Sequence, residues 1–183
     1  MKTFVTFFVS IMLSSVVAGQ PYQGGKEYKA KSNTYRCEYG IAKSNGRHFY
    51  GFTNTKNIMK NMNSGLREYA PLPVLESQQK LIELLCEVYG GKEKMQAMGS
   101  EMIHFYFYVG MDFKVKEMRI TVSSDTEQPK TTILQVEAIE NLVKERIRFV
   151  FERDSPYYRD AIFNTASGAY TISEIPELLE KMP

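Results

Sequence analysis

The sequence predicts an α+β domain in which helices cover one face of a mainly antiparallel sheet. Between residues 101 and 152 the pattern is strand, strand, helix, strand, because hydrophobic residues recur first at every second position and then at helical spacing. Before this unit, residues 74–89 follow a helical period, and after it the chain returns to strand-like patterns. A helix with one apolar stripe needs a sheet face or another helix to bury it, and this favours the layered arrangement.

Residues 1–19 are typical of a secretory signal peptide. Lys2 supplies a positive charge, an apolar run follows over 4–17, and the small residues Ala18 and Gly19 suit a cleavage site. The run is shorter than the ~20 residues that span a bilayer, so we expect no membrane insertion after cleavage. We expect a periplasmic or secreted protein with a flexible leader over 20–34, which is polar and has no hydrophobic period, and a single domain over 35–183.

The first half of this domain is predicted to be a hairpin followed by helices. Alternation over 35–39 and an aromatic run over 48–52 flank a turn sequence at Ser44, Asn45 and Gly46. Residues 55–69 are predicted to be helical in part. Residues 74–89 form the clearest helix, which Gly90 and Gly91 end.

A second hairpin begins at residue 101. Its first strand points Ile103, Phe105, Phe107 and Val109 to one face and Met102, His104, Tyr106 and Tyr108 to the other. Residues 110–112 form the turn. The hydrophobic phase slips at Lys116 and Glu117, which predicts a β-bulge because one extra residue re-aims those after it.

The remaining elements are a helix, a strand, a further strand pair and a final helix. Residues 131–146 carry an apolar stripe, and Glu137, Glu140 and Glu145 are predicted to lie on the solvated side of that helix. Alternation over 147–151 predicts a third strand. Residues 161–175 are predicted to form two strands that turn at Ser167 and Gly168, and Pro176 opens the last helix.

The two cysteines, Cys37 and Cys86, leave two interpretations open. In an oxidising compartment an even pair suggests one disulfide, which would tie the first hairpin to the helix at 74–89. Alternatively, both are unpaired thiols that pack as small hydrophobic side chains.

Charge and motifs exclude several classes of function. The chain has 23 Lys and Arg against 21 Asp and Glu with the signs interspersed, so it offers no electrostatic footprint for nucleic acid or an anionic membrane. It contains neither a zinc-protease, CxxC or GxSxG motif nor a phosphate loop, and we predict no catalytic residue, metal or cofactor. Cys86 and His104 could form a nucleophilic pair, but a single Cys and a single His are no signature.

The second face of the strand at 102–108 is the candidate site. His104, Tyr106 and Tyr108 combine large apolar area with polar tips, as side chains at binding surfaces do. The competing interpretation is that a helix, such as the one at 74–89, covers this face and makes it core.

With these residues in view, the segment 102–152 resembles the C-terminal domain type of TonB and related periplasmic proteins. The resemblance rests on the first strand at 103–107, the second at 115–124, and the helix and aromatic-ending strand at 137–149. The whole chain also resembles small signal-bearing proteins of unknown function from Bacteroides and relatives. The resemblance to TonB implies a small sheet-and-helix module of a kind that often binds protein or peptide, although a fold does not fix a function.

We therefore expect an exported, non-catalytic binding or assembly module whose partner is a protein or peptide, with strand addition at a sheet edge as one mode. The alternative is a small periplasmic hydrolase or thiol enzyme that uses Cys86 or His104. A third class, an inhibitor or immunity-type protein, has the same sequence features as the first. The sequence predicts neither the partner's identity nor the oligomeric state.

Overall fold

The computed structural model describes residues 21–58, 75–110, 112–149 and 163–182. The strands are β1 (Glu27–Lys29), β2 (Thr34–Ile41), β3 (His48–Asn54), β4 (Met102–Gly110), β5 (Val115–Ser124) and β6 (Phe163–Thr171). The α-helices are α1 (Leu75–Tyr89), α2 (Lys92–Gln96), α3 (Ile133–Arg146) and α4 (Ile175–Glu180), and a 3₁₀ turn (Ile172–Glu174) precedes α4. In the described residues, the strands form one antiparallel sheet in the order β1-β2-β3-β5-β4-β6. The predicted α+β class is confirmed.

The helices pack on one face of the sheet. The inward side chains of β4 are almost completely buried and share a core with apolar residues of α1 and α3. These residues are Ile103, Phe105, Phe107 and Val109 of β4, Leu81, Ile82 and Leu85 of α1, and Val136, Ile139 and Val143 of α3. The alternation predicted for β4 therefore separates a helix-covered face from a second face.

Both predicted hairpins are present. β2 pairs with β3 across the turn that contains Gly46, and β4 pairs with β5. In the second hairpin Tyr108 lies opposite Glu117 while Val109 lies opposite Val115, so Lys116 has no partner in the ladder. This confirms the predicted bulge. The extra residue lets both Val115 and Met118 face the core.

The prediction of two strands over residues 161–175 is wrong. A single strand of nine residues, β6, runs through the predicted turn, and Gly168 lies opposite Phe105 in its middle. Ser167-Gly168 has the composition of a turn, but here the glycine sits in an extended strand beside a bulky aromatic partner. The strand predicted at 147–151 is reduced, in the described residues, to one bridge between Arg148 and Lys114.

Several predictions fall outside the described residues. These are the signal peptide at 1–19, most of the helix at 55–69, and the end of the strand at 147–151. The helix predicted at 74–89 is observed as α1, and the last helix begins near Pro176 as expected.

The segment 20–34, expected to be a flexible leader, is built into the fold from residue 21 onward. β1 pairs with β2. The Tyr22 amide donates to Oε1 of Gln128 at 2.7 Å, and its ring packs edge-on against Tyr28 and Phe52. A polar segment without periodicity is thus held by strand pairing and by single anchoring side chains, and a periodicity argument detects neither.

Two of the three glutamates expected on the solvated side of α3 are buried, so that prediction is wrong for them. Glu137 is 4% exposed and Glu140 is 1% exposed, whereas Glu145 is exposed as predicted. The β1–β2 connection and the adjoining strands lie against this flank of α3, which helical spacing alone does not show.

Each buried carboxylate has a full set of hydrogen-bond donors. Glu137 accepts the backbone amides of Lys31, Ser32 and Asn33 at 2.9, 2.8 and 2.7 Å. Glu140 accepts from the Tyr35 hydroxyl, from Nδ2 of Asn54 at 3.1 Å and from Nζ of Lys144 at 2.6 Å. Pairing of this kind offsets the cost of burying a charge.

Both cysteines are free thiols, which favours the second of the two interpretations. Cys37 is buried on the inner side of β2, while Cys86 is partly buried on α1, which packs mainly against α3 and α4. Burial raises the pKa of Cys37 to about 11 and also raises the pKa of Cys86. Neither thiol therefore has the lowered pKa that marks a catalytic cysteine.

Buried tyrosines should make the fold sensitive to alkali. Burial raises the pKa of Tyr89 above its usual 10.0, although its hydroxyl is hydrogen-bonded to Thr131 at 2.9 Å. Above about pH 10 the unfolded chain releases this proton and the folded chain keeps it, so the free energy of unfolding falls as pH rises. In urea titrations at several pH values, Tyr89→Phe should lower stability by about 1 kcal/mol at pH 7 and flatten the alkaline decline. Equal alkaline slopes in both proteins would refute this.

Candidate functional site

The candidate residues His104, Tyr106 and Tyr108 lie on the face of β4 that points away from the helices. Tyr106 is 42% exposed, and the other two are partly buried. The expectation that α1 covers this face is wrong, because α1 contributes to the core on the opposite face. Within the described ranges no helix packs over the three side chains.

These residues line a concavity of about 570 Å³ over the three neighbouring strands β5, β4 and β6. The lining comprises His104, Phe105, Tyr106 and Tyr108 of β4, Arg119 and Thr121 of β5, and Ser167, Gly168 and Ala169 of β6. The cross-strand register explains the grouping, since Tyr106 lies opposite both Arg119 and Ser167, and His104 lies opposite both Thr121 and Ala169.

Tyr106 and Tyr108 form the aromatic part of the concavity. Their ring centroids are 5.2 Å apart and the rings are inclined at 71°, in an edge-to-face arrangement. Residues two positions apart on a strand share a face, which brings the rings together. The pair can therefore offer both a ring face and a ring edge to a ligand.

The surroundings of His104 disfavour the charged form of its imidazole. Burial, with a smaller contribution from the positive charge of Arg47, holds the pKa of His104 below its usual 6.5. Its Nε2 atom is buried and has no hydrogen-bond partner among the described residues. Arg47 is fixed nearby by an ion pair of 2.8 Å to Asp125 and by the carbonyl oxygen of Ser123 at 3.3 Å.

Arg119 supplies the charge of the site. Its guanidinium lies against the backbone of Gly51, where a Cβ atom would come within 2.5 Å of Nη2, so the glycine leaves the space for it. Nη2 also pairs with Oε2 of Glu38 at 2.9 Å. The Nε atom is buried without a hydrogen-bond partner in the described part of the chain. Among the described residues, the lining contains this one cation and no carboxylate.

Sequence reasoning identified three of the lining side chains and missed the others. Arg119 and Thr121 could have been found, because the predicted bulge places Ile120 and its even-numbered neighbours inside and therefore turns these two residues outward. Ser167 and Ala169 could not have been found in this way, because the composition of Ser167 and Gly168 predicts a turn at this point and not a strand.

The arrangement is suited to binding by stacking and hydrogen bonding. Cys86 lies on α1, on the other side of the sheet from His104, so the structure does not bring together the nucleophilic pair considered above. Among the described residues, no group of three His, Cys, Asp or Glu side chains is placed to hold a metal ion. None of the described helices has the length and hydrophobicity that a membrane span requires.

Comparison with known proteins gives a structural match. No protein family model matches the chain, and no curated protein matches its sequence. The fold is similar to the crystal structure of a DUF5043 family protein from Bacteroides uniformis, with a TM-score of 0.61 and 12% identity over 85% of this chain and 96% of that one. At this identity the match shows the fold alone, and it agrees with the resemblance to Bacteroides proteins of unknown function.

Proposed function

We propose that this protein is an exported, non-catalytic binding module that contacts a protein or peptide segment through the concavity of β4, β5 and β6. The observation that carries the proposal is the pair of Tyr106, which is exposed, and Tyr108, which is partly buried, within a concavity on a sheet face that no described helix covers. Aromatic side chains and arginine are enriched where proteins bind one another, and both are present in this concavity.

The chemistry of the lining fits a polypeptide. The two rings offer apolar area, the hydroxyls of Thr121 and Ser167 offer donors and acceptors, and Arg119 offers charge. A peptide main chain requires such a mixture, because each residue carries a donor and an acceptor as well as a side chain. The order β4, β5, α3, which matches the segment resembling TonB, supports the same class of function. The signal-peptide pattern at 1–19 supports action outside the cytoplasm.

Selection from a displayed library of random peptides tests the proposal. The immobilised full chain should enrich particular peptides, and calorimetry should show that Tyr106→Ala weakens their binding at least about tenfold, which corresponds to about 1.4 kcal/mol. The matched control is Leu134→Ala, which truncates an apolar side chain of α3 that is 51% exposed and lies on the helical side. The control should bind as the unsubstituted protein does.

Two results would overturn this function. One is the absence of any peptide enriched above an unrelated immobilised protein. The other is a set of enriched peptides whose affinity is the same for Tyr106→Ala and for the unsubstituted chain, since those peptides would bind elsewhere.

A further inference from the structure

The two edges of the sheet are built differently. β1 has three residues, two of them charged (Glu27 and Lys29), so this edge is short and charged, as protected edges are. The opposite edge is β6, whose nine residues, FNTASGAYT, include no charge and no proline. In the described part of the chain β6 pairs with β4 alone. A long uncharged edge is a template for pairing with another strand.

We propose that β6 pairs antiparallel with β6 of a second copy of this chain, so that one continuous sheet runs through both copies. Pairing about a two-fold axis places one residue opposite its own copy. Full overlap of Phe163–Thr171 puts the central residue, Ser167, on the axis. This inference is independent of the proposed peptide binding.

The composition of β6 favours a second copy as the occupant. A strand that pairs with itself places identical residues near the axis, which is unfavourable where they are charged and opposed. The central residues of β6 are uncharged and small, so neither repulsion nor bulk opposes their approach on either face of the sheet. They are Ala166, Ser167, Gly168 and Ala169.

Such pairing would also complete the concavity. Ser167 and Ala169 form its wall on the β6 side, directly at the edge of the sheet. Two β4 strands would be separated by three strand spacings, so the two Tyr106 residues would lie about 14 Å apart across the axis. The two concavities would become one groove with a symmetric pair of aromatic walls.

Cysteine cross-linking tests the register. Opposed residues on antiparallel strands have Cα atoms about 4.5–5.5 Å apart, within the range that a disulfide spans. Under mild oxidation Ser167→Cys should therefore form a covalent dimer. The matched control is Ala169→Cys, on the same face, whose two copies would be more than about 13 Å apart and should not cross-link. The unsubstituted chain controls for Cys37 and Cys86. Any other ranking of the two variants contradicts the pairing.

Molar mass in solution provides the second test. The full chain should sediment as a dimer at a concentration of about 100 μM. Under the same conditions Ser167→Lys should sediment as a monomer, because two like charges would meet on the axis. Ser44→Lys adds the same charge at an exposed position of the β2–β3 turn and should leave the dimer intact. A monomeric unsubstituted chain, or a dimer that survives Ser167→Lys, overturns the proposal.

Discussion

Replacing Glu140 with alanine should lower the free energy of unfolding by about 3–5 kcal/mol. The substitution removes a buried carboxylate and leaves three donors without their acceptor: the Tyr35 hydroxyl, the Asn54 amide and the Lys144 ammonium. Tyr35 is 1% exposed, so its hydroxyl has no access to water as a substitute partner. Urea unfolding monitored by circular dichroism measures the loss.

Glu145→Ala is the matched control, because Glu145 lies on the same helix but is exposed. We expect its effect to remain within about 0.5 kcal/mol. A double-mutant cycle that adds Tyr35→Phe should show coupling above about 1 kcal/mol, since the two side chains share one hydrogen bond. A loss below about 1 kcal/mol for Glu140→Ala would show that this carboxylate is not a structural anchor.

Glu137→Ala should cost about 2–4 kcal/mol and should act locally on the β1–β2 connection. Its carboxylate is the acceptor for three consecutive amides, and hydrogen bonds to a charged group contribute more than neutral ones. Hydrogen exchange at the amides of Lys31, Ser32 and Asn33 should become faster by at least about tenfold. Exchange within β4 should accelerate only by the amount that the loss of global stability accounts for.

Glu137→Gln separates charge from shape. The amide keeps one carbonyl oxygen of similar size, so this variant should lie between alanine and the native residue in stability. If exchange at the three amides is unchanged in Glu137→Ala, then the connection is held by β1 pairing instead, and the anchoring role of Glu137 is refuted.

Local patterns predicted the parts of the fold that local geometry determines. Strand alternation assigned Phe105 and Phe107 to the core and His104, Tyr106 and Tyr108 to the other face, because side chains on a strand alternate whatever they pack against. The phase slip located the bulge at Lys116 for the same reason. The face that carries the candidate site was therefore accessible from the sequence.

The errors lie where distant segments decide the environment. Helical spacing gives the angle of Glu137 around α3, but it does not show that the residues after β1 fold onto that flank. Likewise, the composition of Ser167 and Gly168 favours a turn when considered alone, and only the presence of β4 alongside keeps this segment extended. Tertiary pairing overrides local preference in both cases.

The anchoring of the first described strand also sets an order of events in folding. β1 can pair with β2 as soon as both exist, but the amides that follow β1 are fixed by Glu137, which lies 104–106 positions later in the chain. The hydrogen bond of the Tyr22 amide likewise requires Gln128, which lies 106 positions later in the chain. Contacts between such distant positions are slow to form, because a large loop must close before they contribute. The first described strand therefore cannot be fully anchored before α3 is available. If the chain is exported as proposed, this edge of the sheet could not close until α3 had emerged on the far side of the membrane.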